Sequence, residues 1–124
     1  MYRDLKPGNI LVFKFPEPDT QWNSNTKILI KVADYGISKQ VSPEGLRGGL
    51  GTPPYLPPEV NLTGGRAAAS TMIDVYAFGM FIYYLMTFMA PFEMEVRPLN
   101  SLLEEGRRPE LPPKVRLSKA YFTI

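Results

Sequence analysis

The chain has 124 residues, 44% of them hydrophobic and 21% charged, which suits one small domain with its own core and excludes disorder along the whole length. Its 14 basic and 12 acidic residues leave a net charge of +2 with no block of one sign, so neither nucleic acid nor an anionic membrane is implied as a partner. Histidine and cysteine are both absent, which removes disulfides, thiol nucleophiles, Ser-His triads and the usual zinc sites.

The first readable element is a strand over Ile10 to Phe13, preceded by Asp4, Lys6 and Asn9. Residues 14–26, KFPEPDTQWNSNT, form a polar, turn-rich loop. Lys27 to Ala33 alternates, with Ile28, Ile30 and Val32 on one face and Lys27, Leu29 and Lys31 on the other; the pattern predicts a strand with one buried and one partly solvated face. The two strands and their loop predict a hairpin. Asp34-Tyr35-Gly36 follows, and then a Gly- and Pro-rich stretch from about 37 to 58 predicts a long mobile loop.

Val75 to Phe92 carries no charged residue and reaches the lower edge of membrane-spanning length. Asp74 abuts its start, Gly79 and Pro91 interrupt it, and no Lys/Arg cluster flanks its end, so it reads as a buried helix with no membrane insertion. That helix is predicted over about 70–87, with the hydroxyl of Ser70 or Thr71 as N-cap. Being apolar all round, it needs other elements wrapped about it. A shorter helix is predicted from Pro98 to Glu105, with Pro98 in the first turn and Gly106 as C-cap. The tail KVRLSKAYFTI has no assignment, no signal peptide is visible, and the sequon at Asn61-Leu62-Thr63 is read as chance.

Two carboxylates stand at strand boundaries, Asp4 before the first and Asp34 after the second. Chain reversal in a hairpin brings Asp4, Lys6, Asn9 and Asp34 to one edge. With no histidine or cysteine, a metal there has to be a hard ion held by oxygen: magnesium, manganese or calcium. Carboxylate and amide oxygens around an ammonium suit a magnesium-bound phosphate. Each residue alone also has a bland reading, as a turn or strand-end residue.

Taken together, the spacings carry a resemblance to the protein kinases. Tyr2-Arg3-Asp4-Leu5-Lys6-Pro7-Gly8-Asn9 resembles their catalytic loop, and Asp34-Tyr35-Gly36 resembles their magnesium motif. Gly51-Thr52-Pro53-Pro54-Tyr55-Leu56-Pro57-Pro58-Glu59 resembles the end of an activation segment (34–59), with Pro57 where alanine is usual. Asp74-Val75-Tyr76-Ala77-Phe78-Gly79 resembles the start of the central helix of the C-lobe, and Gly106-Arg107-Arg108-Pro109 a stretch after the next helix in tyrosine-kinase-like kinases. The tyrosines before Arg3-Asp4 and after Asp34, within ADYGIS, are similar to the leucine-rich-repeat Roco-type serine/threonine kinases.

The resemblance implies an α+β fold: residues 1–124 as a partial kinase domain, a mainly helical C-lobe fragment with a short β-hairpin and the N-lobe absent. It implies ATP and Mg2+ (Mn2+ as an alternative), a protein substrate, further domains of a longer parent chain, and a cytoplasmic location. Asp4 would orient and deprotonate the substrate hydroxyl, and Lys6 would stabilise charge on the transferred phosphoryl group. Asn9 and Asp34 would hold magnesium, and Leu11 would pack under the adenine. Lys6 with Thr52 implies Ser/Thr specificity. Arg3 would pair with a phosphate on the activation segment, whose hydroxyls are Ser38, Ser42 and Thr52, the last read as structural. Glu59 closes that segment, Asp74 would anchor the catalytic-loop backbone, and Tyr2 and Tyr35 would stack in a column linking the catalytic loop to the N-lobe. The Gly-rich lid, the strand lysine and the helix glutamate of the family's nucleotide clamp are not found in the sequence, nor is the arginine that pairs with the Glu59 equivalent. The expected activity is Ser/Thr phosphorylation, absent from this chain alone; the alternative is a non-catalytic interaction module derived from a kinase.

Overall fold

The computed structural model describes residues 1–21, 23, 25–40, 51–66 and 70–112. Among these, the strands β1 (Ile10–Lys14) and β2 (Leu29–Val32) pair antiparallel as a hairpin. The helices α1 (Pro58–Asn61), α2 (Met72–Thr87) and α3 (Leu99–Glu104) follow. The fold is α+β.

The hairpin ladder is shorter than the alternating run that announces it. Register sets Ile10 opposite Val32 and Val12 opposite Ile30, then slips so that Lys14 faces Leu29, leaving Phe13 as the extra residue of a bulge. Neither face of the hairpin is buried: Val12, Phe13 and Ile30 are all more than half exposed. The expected buried face of β2 is therefore corrected: Ile28, Ile30 and Val32 are all exposed among the described residues.

The core lies between α2, α1 and the segment before α1. Thr52 to Leu56 is not a bare loop: Pro53–Tyr55 forms a 3-10 turn, for which the proline-fixed φ of Pro53 and Pro54 is already suitable. The next prolines do the same for α1, where Pro58 fills the first position and leaves no amide unsatisfied. Leu56, Val60 and Ile73 make one apolar cluster against Met1, and Tyr55, Ala77 and Met80 make a second against Leu5 and Tyr76. Leu102 of α3 is completely buried, a placement that contributes about 2 kcal/mol for a leucine.

α2 starts with Thr71 at the N-cap position, where its side chain makes no capping bond, while the hydroxyl of Ser70 just before it accepts the Met72 N–H at 3.2 Å. It ends at Phe88, which turns left-handed (φ 57°) while its N–H donates to the Tyr84 carbonyl at 2.7 Å. α2 is not buried all round. Ile73, Ala77, Met80 and Phe81 face the core, whereas Met72, Val75, Phe78, Ile82 and Leu85 stand in solvent. The described elements wrap one side of the helix only.

α3 has Pro98 as N-cap rather than inside the first turn. Its end is a full Schellman motif: Gly106 (φ 73°) donates to the Leu103 carbonyl at 3.0 Å and Arg107 to the Leu102 carbonyl at 2.9 Å. Among the described residues no helix is long and apolar enough to cross a membrane.

Candidate active site

Residues 2–9 form a loop fastened from three directions. Asp74, in the first turn of α2, accepts the Tyr2 amide on Oδ2 and the Arg3 amide on Oδ1, both at 2.7 Å. Arg3 has a positive φ of 81°, a conformation disfavoured for a side-chain-bearing residue, and the two amide bonds hold it there. Gly51 presses against the same backbone. A Cβ on it would stand 2.5 Å from the Arg3 carbonyl oxygen, so only glycine lets the two segments meet. From the third side, the Tyr2 hydroxyl donates to the Ala33 carbonyl, and Ser38 Oγ donates to the Tyr2 carbonyl at 3.1 Å.

A 3-10 turn over Pro7–Asn9 then folds the loop back, so that Asn9, five residues on, returns to Asp4. Asn9 Nδ2 donates to the Asp4 carbonyl at 2.8 Å and to Asp4 Oδ2 at 3.0 Å. Lys6 Nζ lies 2.9 Å from the same oxygen and donates to Thr52 Oγ1 at 2.7 Å. Thr52 in turn donates its hydroxyl to Asp4 Oδ1 at 2.8 Å. The carboxylate thus sits in a closed ring of donors, and its side chain is only 12% exposed.

That ring sets the charge state of Asp4. Burial pushes the carboxyl up, but the hydrogen bonds from Lys6, Thr52 and Asn9, with the Lys6 charge, outweigh it and hold the group below the usual carboxylate range. Tyr2 moves the other way: burial raises its hydroxyl above the ordinary phenol range.

Asp34 is not part of the ring. It is exposed, takes a left-handed φ of 58°, and uses Oδ1 to accept the Gly36 amide at 3.2 Å. The residue before it is nevertheless tied to the loop, since the Ala33 N–H donates to the Asn9 carbonyl at 2.8 Å. Leu11 lies on the exposed hairpin opposite Lys31. Tyr2 and Tyr35 meet edge to face, with centroids 5.5 Å apart and planes at 72°. Glu59 is exposed in the first turn of α1, and among the described residues no basic side chain pairs with its carboxylate. Ser42 lies outside the described residues, as does most of the Gly-rich stretch before Gly51.

Two features have no simple signal in the sequence. Arg3 is buried (5% exposed), and its Nη1 has no hydrogen-bond partner among the described residues. A buried guanidinium nitrogen left without a partner is costly. Gly51 as a backbone spacer was hidden in a run of glycines, and only its contact with Arg3 separates it from the others.

The donor set fits a hard cation. Asn9 spends its amide nitrogen on Asp4, which leaves its amide oxygen available, and the second oxygen of Asp34 has no hydrogen-bond partner among the described residues. No three acidic side chains gather there among the described residues, so phosphate or water oxygens would have to complete a coordination shell.

Residues 1–114 match the protein kinase domain family. The chain is 40% identical over 114 residues to leucine-rich repeat serine/threonine-protein kinase 1 of Caenorhabditis elegans, covering 91% of this chain and 5% of that protein. It is 33% identical over 108 residues to the ovarian-specific serine/threonine-protein kinase Lok of Drosophila melanogaster, covering 86% and 21%. It is 32% identical over 126 residues to mouse receptor-interacting serine/threonine-protein kinase 4, covering 94% and 14%. The chain therefore spans about a fifth or less of the length of these relatives.

Proposed function

This chain belongs to the protein kinase domain family, and from that premise we propose that it carries the catalytic-loop portion of an ATP-dependent protein serine/threonine kinase. The observation that supports this reading best is the ring around Asp4. Phosphoryl transfer passes through a loose transition state in which positioning and electrostatics do most of the work. A carboxylate held ionised by Lys6, Thr52 and Asn9 suits that task. It can accept a hydrogen bond from a serine or threonine hydroxyl, aim the oxygen at phosphorus and take the proton late. Lys6, already pinned beside it, supplies a positive charge for the equatorial phosphoryl oxygens.

In this reading Asn9 and Asp34 hold Mg2+ (Mn2+ serving equally), with the nucleotide phosphates filling the remaining positions, and Leu11 forms the floor under adenine. When bound, such an ion would supply positive charge that offsets the charge of the nucleotide phosphates. Arg3, with its unpartnered Nη1, takes a phosphate carried on the activation segment at Ser38 or Ser42. Thr52 is structural, locking Asp4 to Lys6, and Asp74 sets the loop backbone.

The 124 residues contain no G-x-G-x-x-G lid, so the chain alone is proposed to bind nucleotide weakly and to turn over no substrate. The test has two parts on the purified chain. Paramagnetic broadening by Mn2+ with ATP is expected at the Asn9 and Asp34 amides and lost in Asp34→Ala; broadening that ignores the substitution would overturn the metal assignment. A phosphotransfer assay with Mg2+ and ATP is expected to stay at background. Turnover abolished by Asp4→Asn would establish kinase chemistry and overturn the proposed inactivity.

A further inference from the structure

Prolines at 53, 54, 57 and 58 take four amide donors out of the seven residues from Thr52 to Pro58. Two of the amides that are left close the turn on itself. Tyr55 donates to the Thr52 carbonyl at 2.9 Å and Leu56 to the Pro53 carbonyl at 3.1 Å. A donor that fixes this turn against its surroundings has to come from a side chain, and Asn61 brings one. From the end of α1 its Nδ2 reaches back eight residues and donates to the Pro53 carbonyl at 2.7 Å. Pro53 follows directly on Thr52, whose hydroxyl oxygen stands between Asp4 Oδ1 at 2.8 Å and Lys6 Nζ at 2.7 Å.

We propose that Asn61 is a positioning residue for the candidate site, fixing the Pro53–Tyr55 turn so that the Thr52 hydroxyl stays between Asp4 and Lys6. Its bearing on phosphoryl transfer rests on the reading proposed above; the placement of Thr52 does not.

Three features carry this assignment. Thr52 precedes a proline and is confined to extended backbone (φ −89°, ψ 119°), so the position of its hydroxyl follows from where Pro53 is held. Tyr55 and Leu56, both buried, set the depth of the turn, but apolar contact is non-directional and leaves its orientation free. A hydrogen bond has a preferred direction, and the one from Asn61 supplies it. On the other flank of Thr52, Gly51 lies against the Arg3 backbone. The residue that joins Asp4 to Lys6 is therefore guided from both sides. Thr63, the other polar residue of the sequon, stays within its own helix end and donates its hydroxyl to the Glu59 carbonyl at 2.7 Å.

The test is NMR of the 124-residue chain, read at the Thr52 hydroxyl proton. Held against a carboxylate, that proton is expected as a downfield, slowly exchanging signal. Asn61→Leu keeps a side chain of similar length and removes the donor. Exchange of the Thr52 hydroxyl is expected to rise about fivefold in this variant, with the amides of α2 still protected. Thr63→Val removes a bond of the same length from the same helix end, and is expected to leave the Thr52 signal unchanged. Unaltered exchange in Asn61→Leu, or an equal rise in Thr63→Val, would overturn the proposal. Where Asn61→Leu does not fold, the parent chain gives a second readout. One Asn61 Nδ2 proton is expected to show coupling across the hydrogen bond to the Pro53 carbonyl carbon. Side-chain amide protons that exchange as fast as those of a free asparagine would overturn the proposal as well. Neither measurement uses metal or nucleotide, so failure of the kinase reading in the Mn2+ and turnover assays leaves both intact, and their failure leaves those assays intact.

Discussion

Residues 2–9 and the hairpin at 10–32 are consecutive in sequence, yet they are held in opposite ways. The loop contains almost no buried apolar side chain; Leu5 alone packs against the core. It is fixed by hydrogen bonds to residues far along the chain, at Asp74, Thr52, Ala33 and Ser38. The hairpin is rich in Ile, Leu, Val and Phe, and buries none of them fully. Its order comes from ladder hydrogen bonds and a few side-chain contacts such as Lys31 over the Phe13 ring, and a two-stranded sheet has little independent stability. Polar residues here do the fastening that apolar residues are usually given. The lesson is that directionality, rather than buried area, fixes the atoms that chemistry would use.

Four substitutions sharpen or break that contrast. The largest effect is expected at Asp74→Ala, which strands two partly buried amides and releases the strained Arg3 backbone. Chemical denaturation should show a loss of about 3 kcal/mol, and an unchanged midpoint would mean that the loop is not held by this carboxylate. Gly51→Ala comes next. Its methyl group must displace the Arg3 backbone, and thermal melting should register a cost of about 2 kcal/mol.

Thr52→Val keeps the shape and removes the hydroxyl that joins Asp4 to Lys6, at a cost of about 1 kcal/mol. It also carries a pH signature. A carboxyl held below its unfolded value stabilises the fold above that value and loses the contribution as pH falls through the folded value. With one of its donors gone, the depression of Asp4 shrinks, so acid titration of stability should show less loss in the variant than in the parent. Identical acid limbs would remove Thr52 from the ring. The smallest effect is expected at Val12→Thr on the hairpin, within about 0.5 kcal/mol. A larger loss in the urea midpoint would show that the hairpin face is covered in solution.

Much of this was legible in the residues. Alternation at 27–33 announced β2, and the loop residues before β1 declared themselves by spacing. Ser70 and Gly106 marked helix ends, because capping is a local property of a few atoms. Burial was less readable. Hydrophobicity says what a residue prefers, and the outer face of α2 and both faces of the hairpin keep that preference unsatisfied among the described residues. The helical turn at Pro53 and the short α1 were hidden in a stretch that reads as loop, since proline is compatible with both. At the site, the pairing of Asp4 with Asn9 follows from a five-residue spacing. The insertion of Thr52 between Asp4 and Lys6 is a contact across 46 residues or more, and no local pattern encodes it.

The bulge at Phe13 has a further consequence. A two-stranded ribbon is all edge, and the alternating apolar run KILIKV is the kind of segment that templates fibril growth. The register slip between Val12 and Lys14 breaks the straight row of amides and carbonyls that an incoming strand would need. Lys14 and Lys31, one on each strand, place like charges along the same ribbon. The irregularity acts as a guard against runaway aggregation in a ribbon that buries neither face among the described residues.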